Sequence, residues 1–219
     1  MLPRVLETEV MDTAEDARAY DLMDHTAVNR LFVDDFLAIW SGINPILDVG
    51  TGTAQIPIAL CRQSDTARVV AIDLAGEMLT VAQRNVARAS LQKRIRLEAC
   101  DAKSLPWADG TFLAVMSNSI VHHIPEPGAV LAEMVRVLAP GGALFVRDLL
   151  RPDSEEALRH LVQSYTVGCD DYQRQLFADS LRAALTLAEV RALAVSLGID
   201  AAEVRQTSDR HWTWATHKK

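Results

Sequence analysis

Four aspartates recur at matching places in this chain. Asp48, Asp73, Asp101 and Asp148 each sit near the end of, or directly after, a short strand-like run: Ile46–Val49, Val69–Ile72, Ile95–Cys100 and Ala143–Arg147. A carboxylate so placed can accept hydrogen bonds from hydroxyls or face a cation. The first of these acids leads into Gly50-Thr51-Gly52-Thr53-Ala54-Gln55. Glycine tolerates positive φ there and, lacking a Cβ, lets a ligand lie against the backbone. A helix opening at about Ala54 turns N–H groups and a positive dipole end toward that ligand. Asp48 would repel a phosphate and suits an ammonium group or a ribose network, so the turn reads as a nucleoside site. The dinucleotide fingerprint G-x-G-x-x-G has a third glycine where this chain has Gln55. Taken alone, the two glycines also fit an ordinary strand-to-helix turn.

The other chemistry-bearing residues are sparser. His122 and His123 follow the apolar run Phe112–Ser117, and a neutral imidazole suits proton abstraction near pH 7. Packing with backbone hydrogen bonds is the plainer role for the pair, and His25 is a weaker base candidate. A metal held by His122, His123 and Asp148 lacks a ligand motif in its spacing, so no metal is expected. Arg147 or Arg151 could hold an anionic acceptor, although pairing with a neighbouring acid is the favoured reading for a charge beside a strand end. Tyr165, Tyr172 and Phe177 could line an apolar pocket, but their helical spacing favours core packing. In His211–Thr216, alternation sets Trp212 and Trp214 on one face, read as core.

The elements that must position these residues alternate. Strands are expected at 45–49, 68–72, 95–100, 112–117 and 143–147, with helices at 54–63, after Asp73 and at 127–138 between them. Such alternation implies α/β architecture: a Rossmann-like doubly wound sheet with helices on both faces, whose ligands bind at the carboxyl ends of the strands. Ahead of it, Val28, Leu31, Phe32, Phe36, Ile39 and Trp40 follow helical spacing. Beyond Pro152 come two helices, the first capped by Asp153 with Glu156. A capping box at Thr186–Glu189 then opens another helix, and strands at about 202–207 and 211–217 finish the chain. The expected sheet has seven strands, mostly parallel, with the last antiparallel. The expected organisation is a flap and helix over 1–44, a cofactor-binding core over 45–152, a helical lid over 153–185, and a helix with strand hairpin over 186–219.

Composition narrows the function classes. The 219 residues carry 29 acidic and 22 basic side chains, a net charge of −7, which argues against a nucleic-acid binder. Cys61, Cys100 and Cys169 are scattered, which argues against a disulfide framework or a cysteine zinc site. Met1-Leu2-Pro3-Arg4 precedes charged residues, and no run approaches the ~20 apolar residues of a membrane span. A cytoplasmic protein, monomeric or homodimeric, is expected.

Four segments in order carry a family resemblance: ILDVGTGTAQ, VVAIDLAGEML, EACDAKSLPWADGTF and SNSIVHHIPEPGAVLAEMVRVLAPGGALFVRD. The chain resembles the class I S-adenosylmethionine-dependent methyltransferases, most of all the branch that includes quinone-biosynthesis C-methyltransferases and many small-molecule enzymes. The resemblance implies S-adenosyl-L-methionine as cofactor, S-adenosyl-L-homocysteine as product and a small-molecule acceptor methylated at O, C or N. It implies that Asp48 and the turn Gly50, Thr51 and Gly52, with Gln55, hold the methionine part. Asp73 would take the ribose hydroxyls and Leu74 would pack on adenine, with Met78 nearby. Asp101 and the Ala102 N–H would read the adenine edge. Asn118 and Ser119 would line the sulfonium, and Tyr20 resembles a flap tyrosine over the cofactor. The loop Ser117-Asn118-Ser119-Ile120 lacks the N/D-P-P-Y/F pattern of enzymes that methylate bases or glutamine. Two other readings stand beside this one: a non-catalytic sensor or partner subunit that keeps the cofactor fold, and a nicotinamide-dependent dehydrogenase.

Overall fold

The computed structural model describes residues 2–7 and 12–219, with Asp16 by its backbone alone. Seven strands form one sheet in the order β3-β2-β1-β4-β5-β7-β6. They are β1 (Ile46–Val49), β2 (Val69–Asp73), β3 (Ile95–Ala99), β4 (Phe112–Asn118), β5 (Leu138–Leu149), β6 (Val204–Gln206) and β7 (His211–His217). β1 runs parallel to both β2 and β4, and β2 parallel to β3. β6 and β7 are antiparallel, with Val204 opposite Trp214. Strand order reverses between β1 and β4, the place where doubly wound sheets open a crevice at their carboxyl ends.

By contact the chain divides into two compact units. One comprises Val10–Asn118, Ala129–Val146 and Ala215–Lys219, the other Met1–Glu9, Ser119–Gly128 and Arg147–Trp214. The first unit contains β1–β4 and helices α1 (Ala14–Leu22), α2 (Thr26–Leu37), α3 (Gln55–Gln63), α4 (Gly76–Arg88) and α5 (Pro127–Val137), α5 from Ala129 onward. β1 is buried along its whole length, as a strand covered on both faces must be. Phe32, Val33 and Phe36 of α2 join Ile46, Val69, Ala114 and Phe145 in the main apolar cluster. Phe32 meets Phe145 edge to face with ring centroids 4.9 Å apart.

The second unit contains α6 (Glu155–Tyr165), α7 (Asp171–Ala183) and α8 (Leu187–Ser196). α6 and α7 share a core of Leu158, Leu161, Ala178 and Leu181 with Leu149. Trp212 and Trp214 are fully buried, as alternation along β7 implied.

Several local expectations are corrected. α6 is capped by Ser154, whose hydroxyl accepts from the Ala157 N–H, and not by Asp153. The break at Asp170 is itself a capping box with Gln173 that opens α7. β5 begins at Leu138 rather than Ala143, because the Gly141 N–H donates to Lys218 O and Gly142 O accepts from the Lys218 N–H. Tyr165 and Tyr172 are exposed and not core; the Tyr165 hydroxyl donates to Asp209 and the Arg210 guanidinium covers its ring. Helical periodicity marks one face of a helix but not which apolar-looking ring stands at its margin.

Candidate functional site

The turn after β1 is built by its own hydrogen bonds. The N–H groups of Gly50 and Thr51 donate to Ile72 O at 2.9 and 2.8 Å. The Gly52 N–H donates to Asp73 Oδ2 at 2.7 Å, while Asp73 Oδ1 accepts from the Ala75 N–H at 2.9 Å. The path needs positive φ at Gly50 (75°), Gly52 (52°) and Ala54 (62°), the last unusual for a residue with a Cβ. Three consecutive N–H groups are thus satisfied within the protein. A phosphate cradle needs such groups free, so the turn is poorly made for a pyrophosphate.

The acceptors at this turn are the groups left over. Asp48 Oδ2 and the hydroxyls of Thr51 and Thr53 are buried without a hydrogen-bond partner among the described residues. Asp48 is 2% exposed. Burial pushes its carboxyl up to about 7; the nearby Thr51 hydroxyl opposes that shift and the Asp73 charge adds to it. A buried carboxylate lacking a counter-charge is costly, and a bound cation relieves that cost. Each Asp73 oxygen holds one backbone donor, which fixes the carboxylate plane. A carboxylate has about four acceptor positions and two oxygens, the number a vicinal diol presents.

α1 lies at this site. The Tyr20 ring approaches within 3.8 Å of where a Cβ on Gly52 would stand, and it packs with His25 at 4.9 Å and with Met78, Ala75 and Ala17. Burial raises the Tyr20 phenol pKa, and the charges of Asp73 and Asp48 raise it further. Asp21 fastens the helix: its Oδ1 accepts from Asn85 Nδ2 at 2.7 Å and from Gln55 Nε2 at 3.2 Å. Gln55 Oε1 in turn accepts from Asn29 Nδ2 at 3.2 Å. The Gln55 amide therefore ties α1 and α2 to the start of α3. Sequence reasoning missed Asp21, Asn29 and Asn85, lone polar residues on helices with no spacing signal.

Beyond β2, Leu74 is half exposed, and beyond β3 Asp101 Oδ1 accepts from the Lys103 N–H at 2.9 Å. Ala102 is partly buried beside it, and Asn118 is partly buried at the end of β4. The loop after Asp101 is held from α5, another feature the sequence did not announce. Glu133 accepts from the Leu105 N–H at 2.7 Å, and Arg136 donates to Leu105 O and Trp107 O.

The second unit holds the remaining candidates, and they form a cluster of their own. Ser119 has φ 59° and its N–H donates to Arg147 O at 2.9 Å. His122, 4% exposed, pairs through Nδ1 with Asp148 Oδ1 at 2.5 Å. Asp148 also accepts from the N–H groups of Val121 and Leu149 at 2.6 Å each. Of the four strand-end acids, Asp148 is thus committed to protein partners and does not face a ligand as the other three were expected to. Glu7, which sequence reasoning did not single out, brings Oε1 to 3.5 Å from His122 Nε2 and 2.9 Å from His123 Nδ1. Burial lowers the His122 pKa, but the Asp148 carboxylate outweighs it and the net direction is up. Arg147 Nε donates to Thr213 Oγ1, and Arg151 bonds Ala184 O and Glu189.

Comparison with known proteins accords with these observations. Residues 47–146 match the methyltransferase-domain family. The chain is 38% identical over 146 residues to the demethylmenaquinone methyltransferase of Thermus thermophilus, a span covering 64% of each chain. It is 33% identical over 124 residues to a ubiquinone/menaquinone biosynthesis C-methyltransferase of Desulfotalea psychrophila, covering 57% of this chain and 48% of that one. The chain therefore spans less than two thirds of the length of either curated relative. In fold it is similar to a SAM-dependent methyltransferase from Aquifex aeolicus, with a TM-score of 0.67 and 19% identity over 93% of this chain and 97% of that one. Motif order, the domain match over residues 47–146 and the sheet topology together give the chain the Rossmann-like methyltransferase fold.

Proposed function

We propose that the protein transfers the methyl group of S-adenosylmethionine to a small-molecule acceptor at O, C or N. The observation that carries this reading is the buried, partnerless oxygen of Asp48 beside a turn whose own N–H groups are satisfied. That arrangement rejects an anion and accepts a cation, and the cofactor's α-ammonium and sulfonium are cations. Asp48 and the Thr51 and Thr53 hydroxyls would hold the methionine part, Asp73 the ribose, and Leu74, Asp101 and Ala102 the adenine. Tyr20 and Met78 would close over it, with Asn118 beside the sulfur.

The bound cofactor supplies an already activated methyl group, so the protein's work is alignment and exclusion of water. A base is needed only where the acceptor must first lose a proton. His122 and His123 are the candidates, and each has a carboxylate partner competing for that work. The curated relatives are named for quinone precursors, which puts an aromatic carbon acceptor first in the order of assays. The net charge of −7 supports a small molecule over nucleic acid. Among the described residues no helix is long and apolar enough to cross a membrane. We take the protein to work in the cytoplasm as a monomer or homodimer, with residues 153–185 as a lid.

Calorimetric titration with S-adenosylhomocysteine tests the reading. Asp73→Asn should weaken binding tenfold or more, about 1.4 kcal/mol, with the melting curve little changed. Unchanged affinity would remove Asp73 from the site. A non-catalytic binder would retain the affinity and show no methyl transfer to any acceptor in a broad screen. A dehydrogenase would bind nicotinamide dinucleotide instead, against the satisfied N–H groups of the turn.

A further inference from the structure

We propose that Glu7, His122 and His123 form a binding site for a divalent first-row transition-metal ion of the Zn2+ type. Their three potential ligand atoms lie within 4.8 Å of one another. Glu7 Oε1 stands 3.5 Å from His122 Nε2 and 2.9 Å from His123 Nδ1. Ligands bound tetrahedrally at ~2.0–2.1 Å lie about 3.3 Å apart, and the two distances from Glu7 bracket that value.

Two further features separate this cluster from an ordinary ion pair. His123 Nδ1 is buried and makes no hydrogen bond, although Glu7 Oε1 is only 2.9 Å away. The two atoms converge, as ligands of a common ion do. On the far side of His122, Asp148 Oδ1 holds Nδ1 at 2.5 Å and is itself fixed by two backbone N–H groups. A carboxylate there keeps the proton on Nδ1 and presents the Nε2 lone pair on the Glu7 side, the outer-shell arrangement that orients ligating histidines. The Ser180 hydroxyl lies 3.2 and 3.3 Å from the two Glu7 oxygens and steadies that carboxylate in turn. Arg4 is the neighbouring cation. Its guanidinium is spent on the carbonyls of Ala183, His122, Ile124 and Pro125.

Two imidazoles and one carboxylate favour zinc, iron or nickel over magnesium and calcium, which prefer all-oxygen sites. A bound ion would fasten residues 2–7 to the turn at 121–123, both parts of the second unit. The inference goes beyond the methyltransferase reading and does not depend on it, because metal binding is measured without cofactor or acceptor. A His122 or His123 nitrogen that holds the ion cannot also serve as the base.

The test is titration of chelator-treated full-length protein with Zn2+ by calorimetry and with Co2+ by visible absorption. One ion per chain is expected, with a Co2+ spectrum lacking the thiolate charge-transfer band that cysteine ligation would give. Glu7→Gln and His123→Gln should each weaken Zn2+ binding at least tenfold, while His160→Gln leaves it unchanged. Glu7→Gln keeps the carbonyl acceptor for Ser180, and His123 is 22% exposed, so neither change empties a core position. Asp148→Asn should weaken binding about 10–100-fold. No binding by the parent protein, a thiolate band, or equal affinity in Glu7→Gln and His123→Gln would each overturn the site and leave an ordinary ion pair.

Discussion

Asp48 sets stability and ligand binding against each other. Its carboxyl is raised from 3.8 to about 7 in the folded, ligand-free chain, first by burial and then by Asp73. Between those two pH values the folded state holds a proton that the unfolded state has lost, so stability falls as pH rises, by about 1.4 kcal/mol per unit. Above about 7 both states are ionised and the penalty levels off at an order of 4 kcal/mol. Asp48→Asn removes that charge and keeps the shape. It should raise the melting temperature at pH 8, with the gain shrinking toward pH 4. The same substitution should weaken S-adenosylhomocysteine binding at pH 8 and leave adenosine, which lacks the ammonium, nearly unaffected. For the parent protein, cation binding must expel the Asp48 proton below pH 7. Affinity should then fall up to about tenfold per unit of acidification. Flat affinity between pH 5.5 and 8 by calorimetry would show that Asp48 does not meet the cation.

Among elements, α1 packs on α4 through Ala17, Tyr20 and Met78, and Asp21 ties it to Asn85 and Gln55. Asp21→Ala removes those bonds without touching the sheet. Amide exchange across residues 14–22 should speed by an order of magnitude or more, about 1.4 kcal/mol of lost local protection, while β1 and β4 stay protected. Cofactor affinity should drop several-fold if α1 covers the bound molecule. The sheet itself was legible because buried parallel strands are written as nearly continuous apolar runs, and Val69–Ile72 can hardly be read otherwise. The turn was legible because glycine has few reasons to recur there. What stayed hidden was relational. Nothing in a linear reading ties Glu7 to His123 across more than a hundred residues. Nothing marks Asp148 as taken by Val121, Leu149 and His122 while Asp48 is left open. Caps hid for another reason: Asp153 and Ser154 are adjacent, both are good N-caps, and a one-residue shift decides between them.

At the scale of the whole molecule, two buried titrations of opposite sign should nearly cancel. β5 and β7 each contribute residues to both units, so a single cooperative unfolding transition is expected and contributions from either unit add. Asp48 makes stability fall as pH rises from about 4 to about 7. His211 does the reverse. Burial, and then the charges of Arg210 and Arg147, depress its imidazole from 6.5 to about 4. Between those values the unfolded chain binds a proton that the folded chain refuses. Stability therefore rises with pH across that window, by roughly 3 kcal/mol at most, less for the ring's partial exposure. The two slopes are each about 1.4 kcal/mol per unit and overlap from pH 4.5 to 6.5, so the parent protein should show a shallow profile there. Separating them is direct. Asp48→Asn should turn that stretch into a rise with pH, because His211 then dominates, with His25, whose imidazole burial also lowers, adding in the same sense. His211→Gln should tilt it toward a fall, because Asp48 then outweighs His25, and the double variant should keep only the rise from His25. Urea unfolding at half-unit pH steps reads all four profiles. If Asp48→Asn and the parent ran parallel across that range, Asp48 would be ionised in the folded protein throughout, and the case for a site that awaits a cation would lose its electrostatic basis.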